Sequence, residues 1–165
     1  MKRTTLAAAL FGASLSGLNL SGAGAQTGSF FLTTTPERLT RFLKAAGYTV
    51  TLDRSGEQPF LKLENIDDGT DFYLDFLSCN ASSCDAVFAN VLYDPKDFKQ
   101  APTLASVNAW NQDYSTQAYL DDENKPHLIS TYSFVGGFTS ANFVAWVKDF
   151  YGDLDAYHQF LDKAK

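Results

Sequence analysis

Four short apolar runs lie between residues 48 and 92, each set off from the next by turn-forming residues. Tyr48, Val50 and Leu52 alternate with Thr49 and Thr51, the period of two that marks a half-buried strand. Ser55-Gly56 turns the chain into a second run over residues 60–63, and Asp67-Asp68-Gly69 turns it into Phe72-Tyr73-Leu74-Asp75-Phe76-Leu77. A loop bounded by Cys79 and Cys84 leads into Ala86-Val87-Phe88-Ala89-Asn90-Val91-Leu92. Connections this short predict an antiparallel meander, because parallel neighbours need a long crossover. The last run is apolar enough to be central in its sheet.

Helices are signalled on both sides of this block. Thr35-Pro36-Glu37 is a capping residue followed by proline at the first helical position. Leu39, Phe42, Leu43 and Ala46 then form one apolar face, and Gly47 supplies a left-handed stop. A break from Asp94-Pro95 to Pro102 precedes a second helix, capped by Thr103 and running to about Tyr114. Two further strands are predicted over residues 116–120 and 127–135, joined by the polar turn Asp121-Asp122-Glu123-Asn124-Lys125-Pro126. Gly136-Gly137 ends the sheet, and Thr139 or Ser140 caps a last helix with Phe143, Val147, Phe150, Leu154, Tyr157 and Leu161 along one side. The order is α-β-β-β-β-α-β-β-α. Strands clustered without β-α-β alternation predict an α+β fold, an antiparallel sheet packed with helices. Phe143, Trp146, Val147 and Phe150 should seat the last helix on one face of the sheet.

Composition narrows the function classes. The 165 residues suit one domain, and 15% aromatic content is far above that of a disordered chain. A net charge of −6 argues against nucleic acid as a partner, because phosphate neutralisation needs clustered Lys and Arg. The first 25 residues differ from the rest: Lys2 and Arg3, an apolar run from about Leu6 to Leu20, then Ala23-Gly24-Ala25. This is the pattern of an export signal cleaved after Ala25. The run is too short and too broken by Gly12, Gly17 and Asn19 for a membrane span. Cleavage removes Lys2 and Arg3 and so takes the charge from −6 to −8. The expected plan is a signal over residues 1–25, a flexible segment over 26–33 and one domain over 34–162. Its expected location is periplasmic or secreted, with no membrane insertion after cleavage.

Cys79 and Cys84 are the two cysteines of the chain. In an oxidising compartment a disulfide is the default for such a pair, and the spacing suits a clip between facing ends of antiparallel strands. The competing readings are weaker. Redox chemistry prefers C-x-x-C beside a helix N-terminus, and metal binding would need further ligands nearby. Asn80-Ala81-Ser82 also fits a glycosylation sequon.

No catalytic constellation is legible. His127 and His158 stand far apart without a neighbouring motif, and neither G-x-S-x-G, H-E-x-x-H nor a phosphate-binding P-loop occurs. Asp67-Asp68-Gly69-Thr70-Asp71 reads as a hairpin turn, lacking the spaced ligands of a calcium loop. Gly136-Gly137 reads as a strand-to-helix turn, and Asp153 and Asp155 as part of a solvated stretch. No cofactor or metal is implied, and no enzymatic activity.

The segment Val107 to Leu120 is the most distinctive. Asn108 and Asn111 lie three apart on one helix face beside Trp110. Asparagine is a poor helix-interior residue, so the pair predicts specific bonds to neighbouring backbone, with a polar-aromatic ligand contact as the competing reading. Asn108-Ala109-Trp110-Asn111, then Ala118-Tyr119-Leu120-Asp121, then Gly136-Gly137 before the last helix resembles the YbjN-domain family of bacterial sensory transduction regulators. The Leu43-x-x-x-Gly47-Tyr48 junction is similar too, and the resemblance spans residues 34–161. It implies an α+β fold like that of type III secretion chaperones, which dimerise and hold segments of other proteins. It implies no catalytic residues. The expected function is an exported, non-enzymatic domain that holds a segment of an unidentified protein partner, with a homodimer among the expected assemblies. The alternative is a periplasmic small-molecule or lipid carrier with an aromatic-lined pocket. Trp110 and Tyr151 are the candidate partner-binding aromatics, surplus to what one sheet face can bury.

Overall fold

The computed structural model describes residues 29–64 and 71–163. In chain order the elements are β1 (Phe30–Phe31), α1 (Pro36–Ala45), β2 (Thr49–Asp53), β3 (Phe60–Glu64), β4 (Phe72–Leu77), β5 (Ala86–Leu92), α2 (Leu104–Asp113), β6 (Gln117–Leu120), β7 (Pro126–Ser133), β8 (Phe138–Thr139) and α3 (Ser140–Lys163). Among the described residues three α-helices and an antiparallel six-stranded sheet, with a small two-stranded sheet beside it, make an α+β fold. The export signal expected over residues 1–25 and the turn at Asp67-Asp68-Gly69 lie outside the described residues.

Local chemistry places the helix ends. The Thr35 hydroxyl accepts from the Arg38 N–H at the start of α1, and Thr103 and Ser106 form a reciprocal capping box on α2. Gly47 ends the first helix at φ +96°, a conformation that a side chain would strain.

The sheet order is β2-β3-β4-β5-β7-β6, with every neighbouring pair antiparallel. The first four strands are the expected meander, and β5 lies inside the sheet. The chain then leaves through α2, enters at the far edge as β6, and returns as β7 between β6 and β5. All three helices gather on one face. Leu39 and Leu43 of α1 and Phe143, Val147, Phe150, Leu154, Tyr157 and Leu161 of α3 are buried against Leu61, Leu63, Leu74, Val87 and Leu128 from the strands. Trp146 lies over β7, its indole N–H donating to Ser130 Oγ at 3.0 Å. Phe72 meets Phe150 at 5.4 Å between ring centroids.

One expectation needs correction. The segment expected to be a flexible lead-in contributes β1, which pairs with β8 in register Phe30–Thr139 and Phe31–Phe138. Phe31 packs on Phe42 and Phe138, and the Arg38 guanidinium lies 5.0 Å from its ring centre. The Phe30 ring lies directly over Gly137, in the space that a Cβ at that position would need. Aromatic contacts of this kind offset the ordering entropy of a short segment. Thr34 is fully buried and bridges to Cys84, so the start of the domain is tied to the strand block.

Candidate binding surface

The residues singled out in the sequence fall in three different environments. Trp110 is 0% exposed, which corrects its assignment as a partner-contacting aromatic. The reason is helical geometry: Trp110 shares the inward face of α2 with Ser106 and Val107, at the i, i+3, i+4 spacing of a buried stripe. Its indole stacks flat on Tyr114 at 3.5 Å and meets Tyr157 and Phe160 edge-on. The indole N–H donates to Thr116 Oγ1 at 3.2 Å, and that hydroxyl donates to Asp153 Oδ2 at 2.9 Å. Asp153, read from sequence as solvated, thus closes a relay joining α2, the start of β6 and α3. The hydroxyl of Tyr157 is buried without a hydrogen-bond partner among the described residues, and burial pushes its pKa up.

The two asparagines part company. The Asn111 amide accepts from the Ala118 N–H at 2.7 Å and donates to the Ala118 carbonyl at 3.0 Å. It occupies the place of a neighbouring strand at the edge of β6, satisfying two backbone groups there. Asn108 stands exposed on α2. Tyr151 is half-buried on α3, packed against the core with its ring 6.5 Å from Phe72. Cys79 and Cys84 are disulfide-bonded, with Cα atoms 4.0 Å apart, and clip the facing ends of β4 and β5. A loop this short constrains the unfolded chain by about 2 kcal/mol in the loop-entropy account.

His127 is buried at the start of β7, its ring stacked on Tyr119 at 4.5 Å. Nδ1 lies 3.0 Å from Asn90 Oδ1 and Nε2 lies 3.4 Å from Asp121 Oδ2. Asp121 also accepts from the Lys125 and Glu123 N–H groups of the turn. The Lys125 N–H first, and His127 with it, hold its carboxyl below the usual range. These bonds fix the β6–β7 turn. Among the described residues no group of three His, Cys, Asp or Glu side chains is placed to hold a metal ion.

The surface that sequence reasoning missed is the other face of the sheet. Strand side chains alternate, so Phe72, Leu74 and Phe76 of β4 face the helices while Tyr73, Asp75 and Leu77 face away. No described helix covers that side. Tyr73 is 41% and Leu77 40% exposed, and register brings the half-buried Phe60 of β3 and Phe88 of β5 to either side of Asp75. Phe60 and Tyr73 meet edge-on at 5.8 Å, and Ile129 of β7 continues the patch beyond Asn90. Lys62, the neighbour of Tyr73 on β3, pairs with Asp71 at 2.6 Å, which raises the lysine's pKa. Burial among the rings raises the pKa of Asp75. One sequence signal marked this patch: apolar residues at both parities of β4 and β5, interrupted on β4 by a single aspartate.

Among the described residues, fold and surface together define a sheet with one helix-covered face and one aromatic, carboxylate-bearing face that no helix covers. The chain belongs to the YbjN family, whose description reads "Putative bacterial sensory transduction regulator" and whose model matches residues 35–162. That membership points to a regulatory or binding role. No curated protein and no solved structure matches the chain at a significant level.

Proposed function

We propose that this chain is an exported, non-enzymatic binding domain that holds a segment of a protein partner on the open face of its sheet. The observation that carries the reading is the apolar patch in which Tyr73 and Leu77 stand exposed among the half-buried Phe60, Phe88 and Ile129. Contiguous apolar side chains open to water on a rigid sheet are costly to solvate and mark interaction surfaces. Tyrosine and phenylalanine are also favoured where partners meet, because they supply large contact area with few rotamers to immobilise. Export is supported by the signal-like start and by the Cys79–Cys84 bond, which suits an oxidising compartment. The rings of the helix side stack on one another in the core, which favours a surface binder over a carrier with an aromatic-lined pocket.

Native mass spectrometry of the full chain, recovered from the cells that make it, tests the reading. The expected result is a mass beginning at Gln26, carrying a polypeptide that is lost in a Tyr73→Ser, Leu77→Ser double variant of unchanged melting temperature. Retention of a small molecule or lipid by both proteins would instead favour the carrier. A mass that includes residues 1–25 would remove the export half of the proposal.

A further inference from the structure

Two charged groups stand among the rings of the open face: Lys62 is paired with Asp71, and Asp75 has no ion-pair partner among the described residues. Asp75 sits mid-strand in β4, with Phe60 and Phe88 as its cross-strand register partners and Tyr73 and Leu77 two residues to either side. We propose that Asp75 is the recognition point for an arginine or lysine side chain carried by an apolar segment of a partner protein. The inference rests on the reading that the open face is a binding surface, and adds the chemistry of what binds.

Charge complementarity is the argument. Among the described residues no neighbouring strand offers Asp75 a free cation. On β3 the cation of this face, Lys62, is held by Asp71. On β5 the residues flanking Phe88 on this face are Ala86 and Asn90, which carry no charge. On β4 the titratable neighbour is the Tyr73 phenol. Among the described residues no ion pair reaches Asp75, and the one influence on its ionisation is loss of water, which raises its pKa. A carboxylate half-withdrawn from solvent and left unpaired is destabilising, and an arriving cation removes that cost by pairing with it. The flanking rings favour the same visitor: aromatic faces attract guanidinium and ammonium groups within about 6 Å of their centres. Apolar neighbours of that cation would cover Tyr73, Leu77 and Phe88.

A second copy of the chain is the less suitable occupant. A two-fold interface brings the same patch from both partners, so a face-to-face dimer would add a second desolvated carboxylate, and the cation it also brings, Lys62, is already held by Asp71.

The test uses a displayed library of random short peptides, selected on the intact protein and, in parallel, on its Asp75→Asn variant. The expected result is enrichment of an arginine or lysine flanked by apolar residues on the wild type, and loss of that preference on the variant. An enriched peptide should lose about tenfold in affinity when its arginine becomes citrulline. It should lose a similar factor on Asp75→Asn, with no further loss when both changes are combined. The citrulline peptide leaves the protein untouched, so a folding defect in the variant does not blur the outcome. Peptides that bind the open face without a basic preference would overturn the role of Asp75 and leave the binding surface standing. Absence of any enriched peptide, or equal binding to a Tyr73→Ser, Phe88→Ser variant, would remove both. A dimer that shields Tyr73 and excludes the peptides would make the occupant a second copy and overturn the proposal.

Discussion

The two faces of β4 are built from similar residues and meet opposite surroundings. Phe72, Leu74 and Phe76 are each no more than 1% exposed under the helices, whereas Tyr73 and Leu77, on the same strand, stand open beside Asp75. Side-chain hydrophobicity alone does not separate them. The difference is that α1, α2 and α3 all pack on one side, leaving the other with rings, a carboxylate and no helix of the described residues over it. The covered face carries the stability of the fold. The open face carries aromatic surface left partly exposed to water, and that exposure is the ground for proposing a partner there.

Substitutions can break that contrast directly. Phe150→Ala, in the covered layer, should cost about 3–5 kcal/mol, and Trp110→Ala a similar amount, since each empties a fully packed site. Tyr73→Ser on the open face should fall within about 0.5 kcal/mol of wild type, as exposed substitutions usually do. Urea unfolding of the three variants measures this, and comparable losses in all three would abolish the distinction between faces. A finer contrast is available within α2. Asn111→Ala should cost about 1–2 kcal/mol, because the Ala118 N–H and carbonyl at the edge of β6 lose their partner. Asn108→Ala, on the exposed side of the same helix, should be near neutral or slightly stabilising, since alanine is the better helix former. Equal effects at the two positions would show that the bonds to Ala118 contribute nothing.

The smallest expected effect is the pH dependence from Asp75. Its pKa is raised in the folded protein, so between the unfolded and folded values the folded state binds more protons. Its contribution to stability therefore falls as pH rises through that window and is most favourable below it. Other carboxylates, Asp121 and Asp162 among them, have lowered values and act in the opposite sense. The informative quantity is thus the difference between wild type and Asp75→Asn. The variant should be slightly the more stable at neutral pH, and the gap should close as pH falls toward about 4. A gap that does not change with pH would mean that Asp75 is fully solvated and that the open face lacks the desolvated centre described here.

Much of this protein was determined by sequence alone. Capping residues, the glycine stop at Gly47, the two-residue alternation and the seam of α3 each depend on neighbours within a few positions, so the three helices and the six strands of the main sheet were legible in order, while the short β1–β8 pair was not. The clip between Cys79 and Cys84 was legible for the same reason. The insertion of β7 between β5 and β6 was decided by long-range pairing, as was the attachment of Phe30 over Gly137. The fate of the aromatics was decided there too. Trp110 read as surplus because the sequence shows how many rings exist, not how many a core will hold. Tertiary packing placed it against Tyr114, Tyr157 and Phe160, and left Tyr73 open beside the half-buried Phe88 on the far side of the sheet. A strand's alternation says that it has two faces. Which of them meets water depends on where the helices land, and that is a property of the assembled fold.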